Sequence, residues 1–504
     1  MDYFFYNDWF NNRRRYWFNQ NDENDKYLIE NYGDLIDNYY YHHNKIKKDK
    51  NEIIGILIYD QLTRHYYRKG YNRHIITFFN RRALEIAEKN NNNDFISKLN
   101  NDEWMFYMLV YRHTNIRENL LYVMKEIWRK MPLIPSKNFI RATYERANFK
   151  EVLDKYDNDN NDNNQISFDK SILENNSSLY IIKNKQLNIG KFENIEDDII
   201  IVSLSGGVDS IVCLYNIHYL YSKSKRIVAI HINYNNRKET GEEVKYLRCV
   251  CNILNVVLYV RKIDEINRNL CMINDLRDVY ENYTKKVRYN SYKFFKENPT
   301  VILGHNKDDC FENILTNIAY NNKYENLKGI EYKTVIDNIT FIRPLIDVSK
   351  SDIYKFANIH NLPYLRNSTP KWCQRGKIRY EILPVLEKWD MRIIDGLFNL
   401  SDILKNYNEL LNITIDNFKE NDMGNINKLN LSKLYWKYGI FKIYKIFISN
   451  KSLKSLIERL EIWKNKYNKI DINKKTKIII KKDIEIILIK RLNDNYEYFI
   501  YNKK

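Results

Sequence analysis

Apolar side chains in residues 1–150 recur every three or four positions, which is the spacing of one face of an α-helix. The first series, at positions 53–64, contains both apolar and polar residues at helical spacing, so this helix is predicted to carry a functional or ion-paired face. A second series is wholly apolar. The pattern predicts an all-helical domain over residues 1–150. The first series is Ile53, Ile56, Leu57, Asp60, Gln61 and Arg64, and the second is Phe106, Leu109, Val110, Leu120, Val123, Met124 and Ile127.

Residues 199–390 change to an alternation of short β-branched runs and amphipathic segments. Such alternation is typical of a parallel sheet with helices on both faces. It predicts an α/β doubly wound parallel sheet, in which ligands bind at the carboxyl ends of the strands. The predicted strands are 199–204, 226–234, 256–263 and 300–304, and the predicted helices are 208–222, 239–254, 279–297 and 309–320.

The C-terminal residues 391–504 combine both patterns. Residues 391–465 have helical spacing, whereas 476–502 contain β-rich runs broken at Asn493–Asn495. We therefore expect a small α+β region at this end of the chain. Lysines alternate with apolar residues in the β-rich runs, which fits either phosphate contacts or an exposed, lysine-rich edge strand.

An Asn- and Asp-rich tract at 157–164 separates the first two patterns. Low-complexity polar tracts are typical of solvated linkers. The predicted organisation is therefore a helical domain at 1–150, a linker at 151–198, an α/β domain at 199–390 and a C-terminal region at 391–504.

The chain is strongly basic, because 82 Lys and Arg against 64 Asp and Glu give its 504 residues a formal net charge of +18. This excess favours a polyanionic partner, of which nucleic acid is the commonest. The alternative is compositional drift under AT-rich coding, since Asn, Lys, Ile and Tyr are all abundant.

The cysteines form no CxxC pair and show no disulfide-framework spacing. Free thiols and a reducing, cytoplasmic location are therefore expected. The amino terminus lacks the basic start and small-residue cleavage site of a signal peptide, and no apolar run reaches the roughly 18 residues of a membrane span. The six cysteines are Cys213, Cys249, Cys251, Cys271, Cys310 and Cys373.

The most informative motif is SGGxDS, which follows the first predicted strand of the α/β region and directly precedes an apolar helical pattern. It comprises Ser205, Gly206, Gly207, Asp209 and Ser210. Glycines let a backbone approach an anion closely, and the start of a helix offers free N–H groups. The motif lacks the GxxxxGK[ST] pattern of a Walker loop. It predicts a phosphate-binding turn in which Asp209 can hold Mg²⁺.

A second motif, GHxxDDxxE, follows the predicted strand 300–304. If the segment is helical, His305, Asp308, Asp309 and Glu312 share one face. Such a face can coordinate Mg²⁺ and bind an ammonium group; the alternative is a solvated polar face. The predicted buried face consists of Phe311, Ile314, Leu315 and Ile318.

A third cluster places Arg375, Lys377 and Arg379 within five residues, ahead of Pro384. Such cations suit phosphate or nucleotide binding. Alone, the same pattern would also fit a basic surface helix.

In order and spacing, these motifs and the intervening Arg343-Pro344-Leu345 resemble the tRNA(Ile)-lysidine synthase family, whose members are N-type ATP pyrophosphatases with a PP-loop. The resemblance covers roughly 199–390. It implies that ATP adenylates the C2 oxygen of a wobble cytidine in the tRNA anticodon loop. Free lysine then displaces AMP to form lysidine.

The resemblance also assigns roles to individual residues. The ATP phosphates would be held by Ser205, Gly206, Gly207, Val208, Asp209 and Ser210. Asp209 and Asp309 would be metal-binding or catalytic carboxylates, and His305 would face the cytidine. Asp309 and Glu312 would bind lysine. Arg379 would act on developing charge or the tRNA backbone, with Arg288, Arg375 and Lys377 as further tRNA contacts.

This chain departs from the family at a few positions: Ser291 replaces an arginine, Gly376 an asparagine, and Asn367-Ser368 part of an Asp-containing motif. Two other functions stay open. A tRNA-thiolating enzyme of the same superfamily would typically need paired CxxC cysteines. A catalytically idle tRNA-binding protein would not need Asp209, His305, Asp309 and Glu312 together.

The N-terminal segments 16–25 and 56–68 resemble a bacterial family of uncharacterised, helical, tetratricopeptide-like proteins, whose hallmark is D-Q-F-x-R-N. Here Leu62 and His65 replace the Phe and the Asn. Asp60 and Arg64 stand at i and i+4, a spacing that more often reflects a structural ion pair than catalysis.

Overall fold

The computed structural model describes residues 2–18, 21–41, 52–67, 73–131, 133–134, 136–156, 168–174, 181, 189–192, 195–320, 329–366, 374–446 and 448–502. They form two compact units. The first comprises Met1–Lys307 and Tyr332–Ser368, and the second comprises Asp308–Glu331 and Thr369–Lys504. The Asn- and Asp-rich tract at 157–164, the Asn367-Ser368 pair and Cys373 lie outside the described residues.

Within residues 1–150, the part that the structure describes is mainly helical, as predicted. Their apolar faces pack around large buried aromatic side chains such as Trp9, Trp104, Phe106 and Phe139. A six-residue π-helical turn at Leu57–Leu62 interrupts the α-helical hydrogen bonding. The helices are α1 (Asp2–Asn11), α2 (Asp22–Tyr41), α3 (Glu52–Ile56), α4 (Thr63–Tyr66), α5 (Arg73–Lys89), α6 (Asn93–Lys98), α7 (Asn101–His113), α8 (Arg117–Lys130) and α9 (Lys137–Arg146).

The same unit contains a seven-stranded sheet in the order β1-β4-β3-β2-β5-β7-β6. Five neighbouring strands, from β4 to β7 in that order, are parallel, while β1 and β6 are antiparallel edge strands. The doubly wound parallel sheet is therefore confirmed. The strands are β1 (Asp154–Tyr156), β2 (Ile199–Ser203), β3 (Arg226–Asn233), β4 (Val257–Lys262), β5 (Thr300–Ile302), β6 (Lys333–Ile336) and β7 (Ile339–Ile342).

Successive residues of the central strands pack into different apolar clusters. Ile201 and Val228 join one cluster, while Ile200 and Val202 join the other. Both faces of the sheet are thus covered, as parallel sheets require. The associated helices are α10 (Val208–Tyr221), α11 (Thr240–Ile253), α12 (Arg268–Ile273), α13 (Arg277–Tyr292), α14 (Lys307–Ala319), of which only Lys307 belongs to this unit, and α15 (Lys350–Ile359).

The N-terminal helices pack directly on this sheet. Arg261 of β4 is buried and forms ion pairs with Glu151, at 2.6 Å, and with Glu265, at 2.5 Å. The Glu265 carbonyl accepts hydrogen bonds from Tyr144 of α9 at 2.6 Å and from Trp128 of α8 at 2.9 Å. The helical residues and the sheet therefore share one compact unit, and the four-segment division stays a prediction.

The second unit combines helices with a small antiparallel sheet in the order β8-β11-β10-β9, in agreement with the expected α+β region. No helix in the described ranges is long and apolar enough to cross a membrane. After the rest of α14, this unit contains α16 (Gln374–Lys377), a π-helical turn (Ile378–Ile382), α17 (Leu383–Trp389), α18 (Arg392–Asp416), β8 (Asn421–Asn425), α19 (Lys433–Tyr444), α20 (Asn450–Asn465), β9 (Lys475–Lys481), β10 (Ile484–Lys490) and β11 (Asn495–Asn502).

Candidate active site

The SGGxDS motif forms the turn between β2 and α10. The Ser210 hydroxyl accepts hydrogen bonds from the backbone N–H groups of Ser205, at 3.2 Å, and Gly206, at 3.1 Å. It also donates to the carbonyl of Gly207 at 2.9 Å. One side chain on the first turn of α10 thus fixes the shape of the whole loop.

Glycine is required at two positions around this turn. Gly206 has a φ of +86°, a left-handed conformation that other residues rarely adopt. Gly304 follows β5, and a Cβ atom there would lie 2.9 Å from both the carbonyl carbon of Asp209 and the backbone nitrogen of Ser210. The chain after β5 therefore approaches the start of α10 as closely as backbone sterics allow.

The first turn of α10 has the chemistry of an anion site. Gly207 is its N-cap, and the first N–H groups of a helix have no acceptor within the helix. These donors and the helix dipole favour a phosphate group at this position. The hydroxyls of Ser205 and Ser210, 3.1 Å apart, border the same turn.

Asp209 is held by two side chains distant in sequence. Its Oδ1 accepts a hydrogen bond from Asn306 Nδ2 at 2.9 Å, and its Oδ2 lies 2.6 Å from Lys350 Nζ. Sequence reasoning missed both partners. Asn306 lies inside the GHxxDDxxE motif and could have been noticed there, whereas Lys350 stands outside every motif.

His305 precedes α14, which begins at Lys307. The expectation that His305 shares a helical face with Asp308, Asp309 and Glu312 is therefore wrong, because the turn after β5 continues through Asn306. Arg343 Nε donates to Nδ1 of His305 at 3.3 Å, and Arg343 Nη1 donates to Thr334 at 3.0 Å. Because Nδ1 accepts, the proton of a neutral His305 resides on Nε2.

Acidic and basic side chains of the second unit form another group, in which α14 faces the π-helical turn Ile378–Ile382. Arg379 binds Glu312 Oε1 through Nε at 2.9 Å and through Nη2 at 2.7 Å. Arg375 Nη1 and Arg379 Nη2 each lie 3.8 Å from Oδ1 of Asp309. π-Helical turns are rare and occur frequently at functional sites.

Glu312 is only 3% exposed, and its second oxygen, Oε2, has no hydrogen-bond partner within the described part of the chain. Burial raises the pKa of Glu312 and the charge of Asp309 adds to this, while Arg379 and Arg375 act in the opposite direction. A buried carboxylate oxygen without a donor is costly. Glu312 is thus suited to accept a hydrogen bond from a bound cation.

The predicted basic residues differ in exposure. The Arg375 side chain is half exposed and Lys377 is exposed. Arg288 on α13 stacks 5.6 Å from the ring of Tyr289. Burial lowers the pKa of Arg288, but Tyr234, Tyr292 and Tyr289 outweigh it and raise the pKa overall.

The structure thus assembles two groups of predicted residues, one in each unit. The first contains the SGGxDS turn, with Asp209 held by Asn306 and Lys350. The second contains Asp309, Glu312, Arg375 and Arg379. Among the described residues no three His, Cys, Asp or Glu side chains cluster as a ready metal site, and Mg²⁺ would require further ligands beside Asp209.

Two protein-family models match the chain. Residues 181–386 match a PP-loop domain. Residues 3–167 match a family of bacterial proteins of unknown function. The PP-loop and the resemblance of the N-terminal segments to an uncharacterised bacterial family are therefore confirmed.

Several curated tRNA(Ile)-lysidine synthases are similar to this chain. The enzyme of Borrelia garinii subsp. bavariensis is 26% identical over 335 residues, covering 62% of this chain and 72% of its own. That of Mycoplasma mycoides is 26% identical over 326 residues, covering 58% and 77%. The chloroplastic enzyme of Gracilaria tenuistipitata is 29% identical over 217 residues, covering 41% and 65%.

One similar solved structure is the U34-tRNA thiolase NcsA from Methanococcus maripaludis with its 4Fe-4S cluster. It is 19% identical and covers 41% of this chain and 72% of its own, with a TM-score of 0.33.

Proposed function

We propose that this PP-loop enzyme, whose relatives are tRNA(Ile)-lysidine synthases, joins lysine to a cytidine of tRNA. In the first step the C2 oxygen of the cytidine attacks the α-phosphorus of ATP, and pyrophosphate leaves. In the second step the ε-amine of lysine attacks C2, AMP leaves with the oxygen, and the amine loses a proton. The product is lysidine.

We assign the ATP phosphates to the turn before α10, because its helix N-terminus and hydroxyls form an anion site. Its residues are Ser205, Gly206, Gly207, Val208 and Ser210. Lys350 would add a positive charge where charge develops on the departing pyrophosphate.

Asp209 would hold Mg²⁺, which commonly takes one or two carboxylates and completes its shell with phosphate oxygens and water. A carboxylate has about four acceptor positions, so the hydrogen bond from Asn306 and the ion pair with Lys350 leave room for a metal ion. When bound, Mg²⁺ neutralises charge on the phosphates. The metal-binding role of Asp309 implied by the resemblance stays a prediction.

The observation that carries the assignment of lysine as the second substrate is Glu312. Arg379 fixes one of its oxygens, and the other is buried without a donor. A lysine ammonium group supplies such a donor, and Asp309 adds a second negative charge. The raised pKa of Glu312 is closer to the pKa of an effective general base than that of an ordinary carboxylate is. Glu312 can therefore also take the proton that the amine loses.

The tRNA would be bound mainly through its phosphates, consistent with the net charge of +18. Arg288, Arg375, Lys377 and Arg379 are the proposed contacts, and His305 would face a cytidine turned out of the anticodon loop. On α13, a cavity of about 610 Å³ is lined by Lys285, Lys286 and Lys293, which suits further backbone phosphates.

The two steps can be tested separately. ATP–pyrophosphate exchange in the presence of tRNA reports adenylation and requires no lysine, whereas AMP release on adding lysine reports the second step. Asp209→Asn should abolish exchange. Asp347→Asn is the matched control, because Asp347 is an exposed carboxylate of the same unit whose ion-pair partner is Lys191.

Exchange that requires tRNA, followed by lysine-dependent AMP release, would support the proposal. ATP–pyrophosphate exchange without any effect of lysine on AMP release would indicate another nucleophile, such as the sulfur donor of a thiolating enzyme. No exchange by the folded protein would favour an idle tRNA-binding protein.

A further inference from the structure

The N-terminal helices contain a buried ionic cluster that the proposed reaction does not use. Asp60 lies in the π-helical turn Leu57–Leu62 and is 1% exposed. It pairs with Arg64 at 3.0 Å, and both of its oxygens lie 2.9 Å from Nδ1 of His113. Gln61 also donates to it. The i,i+4 pair of Asp60 and Arg64 is thus present, and the carboxylate is fully hydrogen-bonded.

Arg112, next to His113 at the end of α7, is not satisfied in this way. Arg112 is only 6% exposed. Its Nε and Nη1 atoms have no hydrogen-bond partner among the residues described. Its guanidinium lies 5.4 Å from the ring of Phe139, which accepts no conventional hydrogen bond. Buried charged donors are normally paired, so two of the three guanidinium nitrogens of Arg112 lack an acceptor within the described part of the chain.

Two more arginines surround this position. Burial lowers the pKa of Arg112, and the charges of Arg146 and Arg64 lower it further. Burial and the charge of Arg64 likewise lower the pKa of Arg146. The positive charges of Arg64 and Arg146 therefore both act on Arg112, and the charge of Arg64 also acts on Arg146. Arg64 is partly exposed and Arg146 is exposed, so the cluster reaches solvent on one side.

The cluster carries excess positive charge. Burial lowers the pKa of His113 to about 4, so His113 is neutral near pH 7. Asp60 stays ionised, because His113 and Arg64 overcome the effect of burial and hold its pKa below its usual range. Among the described residues whose charges act on this cluster, Asp60 is the one carboxylate beside Arg64, Arg112 and Arg146, so two positive charges are in excess.

We propose that Arg64, Arg112 and Arg146 form a binding site for a phosphoryl dianion. Arg112 forms the floor, while Arg64 and Arg146 form the solvent-side rim. A doubly charged phosphoryl group balances the two excess charges, and its oxygens can accept from several guanidinium groups at once. Asp60 and His113 position Arg64 and leave Arg112 for the ligand.

Hydrogen-exchange mass spectrometry on the full chain locates such binding directly. The probe is inorganic phosphate, compared with sodium chloride at equal ionic strength and with succinate as a dicarboxylate. Phosphate should slow exchange in peptides covering 101–113 and 52–67. Peptides covering 203–212 report any separate binding at the SGGxDS turn, so the two sites are distinguished within one experiment.

Arg146→Ala is the test variant, since an exposed side chain can be removed without opening the core. It should raise the phosphate concentration needed for protection of 101–113 by roughly tenfold or more. Arg81→Ala, which removes an exposed arginine of α5, should leave that concentration unchanged. Absence of protection, protection that Arg146→Ala does not weaken, or equal protection by chloride or succinate would overturn the proposal.

Discussion

The ammonium group of Lys350 lies 2.6 Å from Oδ2 of Asp209, although 141 residues separate them in the sequence. The pair sets a cation from the start of α15 beside the first turn of α10. Both side chains are largely buried, at 16% and 21% exposed. At such a position a lysine can balance Asp209 before ATP binds and stabilise pyrophosphate as it departs.

Replacing Lys350 with methionine tests this role. The variant should lower the rate of ATP–pyrophosphate exchange by about 10²–10³-fold, which is typical for loss of one preorganised group acting on developing charge. Lys355→Met, an exposed change in the same helix, is the control. Equal exchange rates for the two variants would exclude Lys350 from the first step.

Only part of the candidate site could be predicted from sequence patterns. The turn before α10 was predictable, because a β-branched run, a glycine pair and an apolar helix are contiguous. Asp209 and its partner Lys350 were not recognised as a pair, because only the return of α15 to the same sheet edge brings them together. No periodicity encodes such a distant contact.

Glu312→Gln should separate the two steps of the reaction. Loss of the negative charge removes a charge-assisted hydrogen bond of about 1.5–3 kcal/mol to the lysine ammonium, so KM for lysine should rise by about 10- to 100-fold. The Glu312→Gln variant should still catalyse ATP–pyrophosphate exchange in the absence of lysine. Initial rates of AMP release over a range of lysine concentrations measure this.

Glu387→Gln, which alters an exposed carboxylate of α17, is the control for that experiment. An unchanged KM for lysine in folded Glu312→Gln would contradict the assignment of Glu312. Loss of exchange in that variant would instead place Glu312 in the adenylation step.

Gly304→Ala should disturb the phosphate turn sterically. The new methyl group would meet backbone atoms of Asp209 and Ser210 at 2.9 Å, so α10 or the chain after β5 must shift. We expect a loss of about 1–3 kcal/mol in the free energy of unfolding and a higher KM for ATP.

Gly241→Ala is a matched control in the same unit, because a Cβ there meets nothing within 4 Å on an exposed turn of α11. That variant should be neutral or more stable by about 0.5–1 kcal/mol. Urea unfolding of both variants checks the prediction, and equal stability would show that the close approach at Gly304 is unimportant.

His231 should make stability depend on pH. It is buried in β3, and its Nδ1 donates to the carbonyl of Leu204 at 2.8 Å, immediately before the phosphate turn. Burial lowers its pKa to about 4, and the charge of Arg237 contributes. Below about pH 6.5 the unfolded chain binds a proton that the folded chain does not, so stability falls as pH falls from about 6.5 to 4.

Between about pH 7.5 and pH 5, wild type should therefore lose about 2 kcal/mol more stability than His231→Gln. His74→Gln, an exposed histidine of α5, should behave as wild type. The same pH dependence in wild type and His231→Gln would show that His231 does not carry this effect.

The limits of sequence reasoning are also visible in the fold. Four of the five parallel strands were recovered, because buried β-branched runs such as that of β3 are unmistakable, whereas the short parallel strand β7 was not predicted. The edge strands β1 and β6 were missed: β1 has only three residues, and β6 is mostly exposed, so neither has a strong apolar pattern. The predicted helix 309–320 begins two residues later than α14 does. The expected shared face was wrong for His305, because helical spacing in the sequence continues through His305 whereas the helix begins only at Lys307.

The most direct test of the proposed function is to identify the product. Purified protein is incubated with total tRNA, ATP, Mg²⁺ and isotope-labelled lysine. The tRNA is then freed of aminoacyl esters, digested to nucleosides and analysed by mass spectrometry. We predict a labelled nucleoside with the composition of cytidine plus lysine minus water, absent with Asp209→Asn and present with Asp347→Asn. Labelled lysine absent from every nucleoside, while the same preparation catalyses tRNA-dependent ATP–pyrophosphate exchange, would contradict lysidine formation.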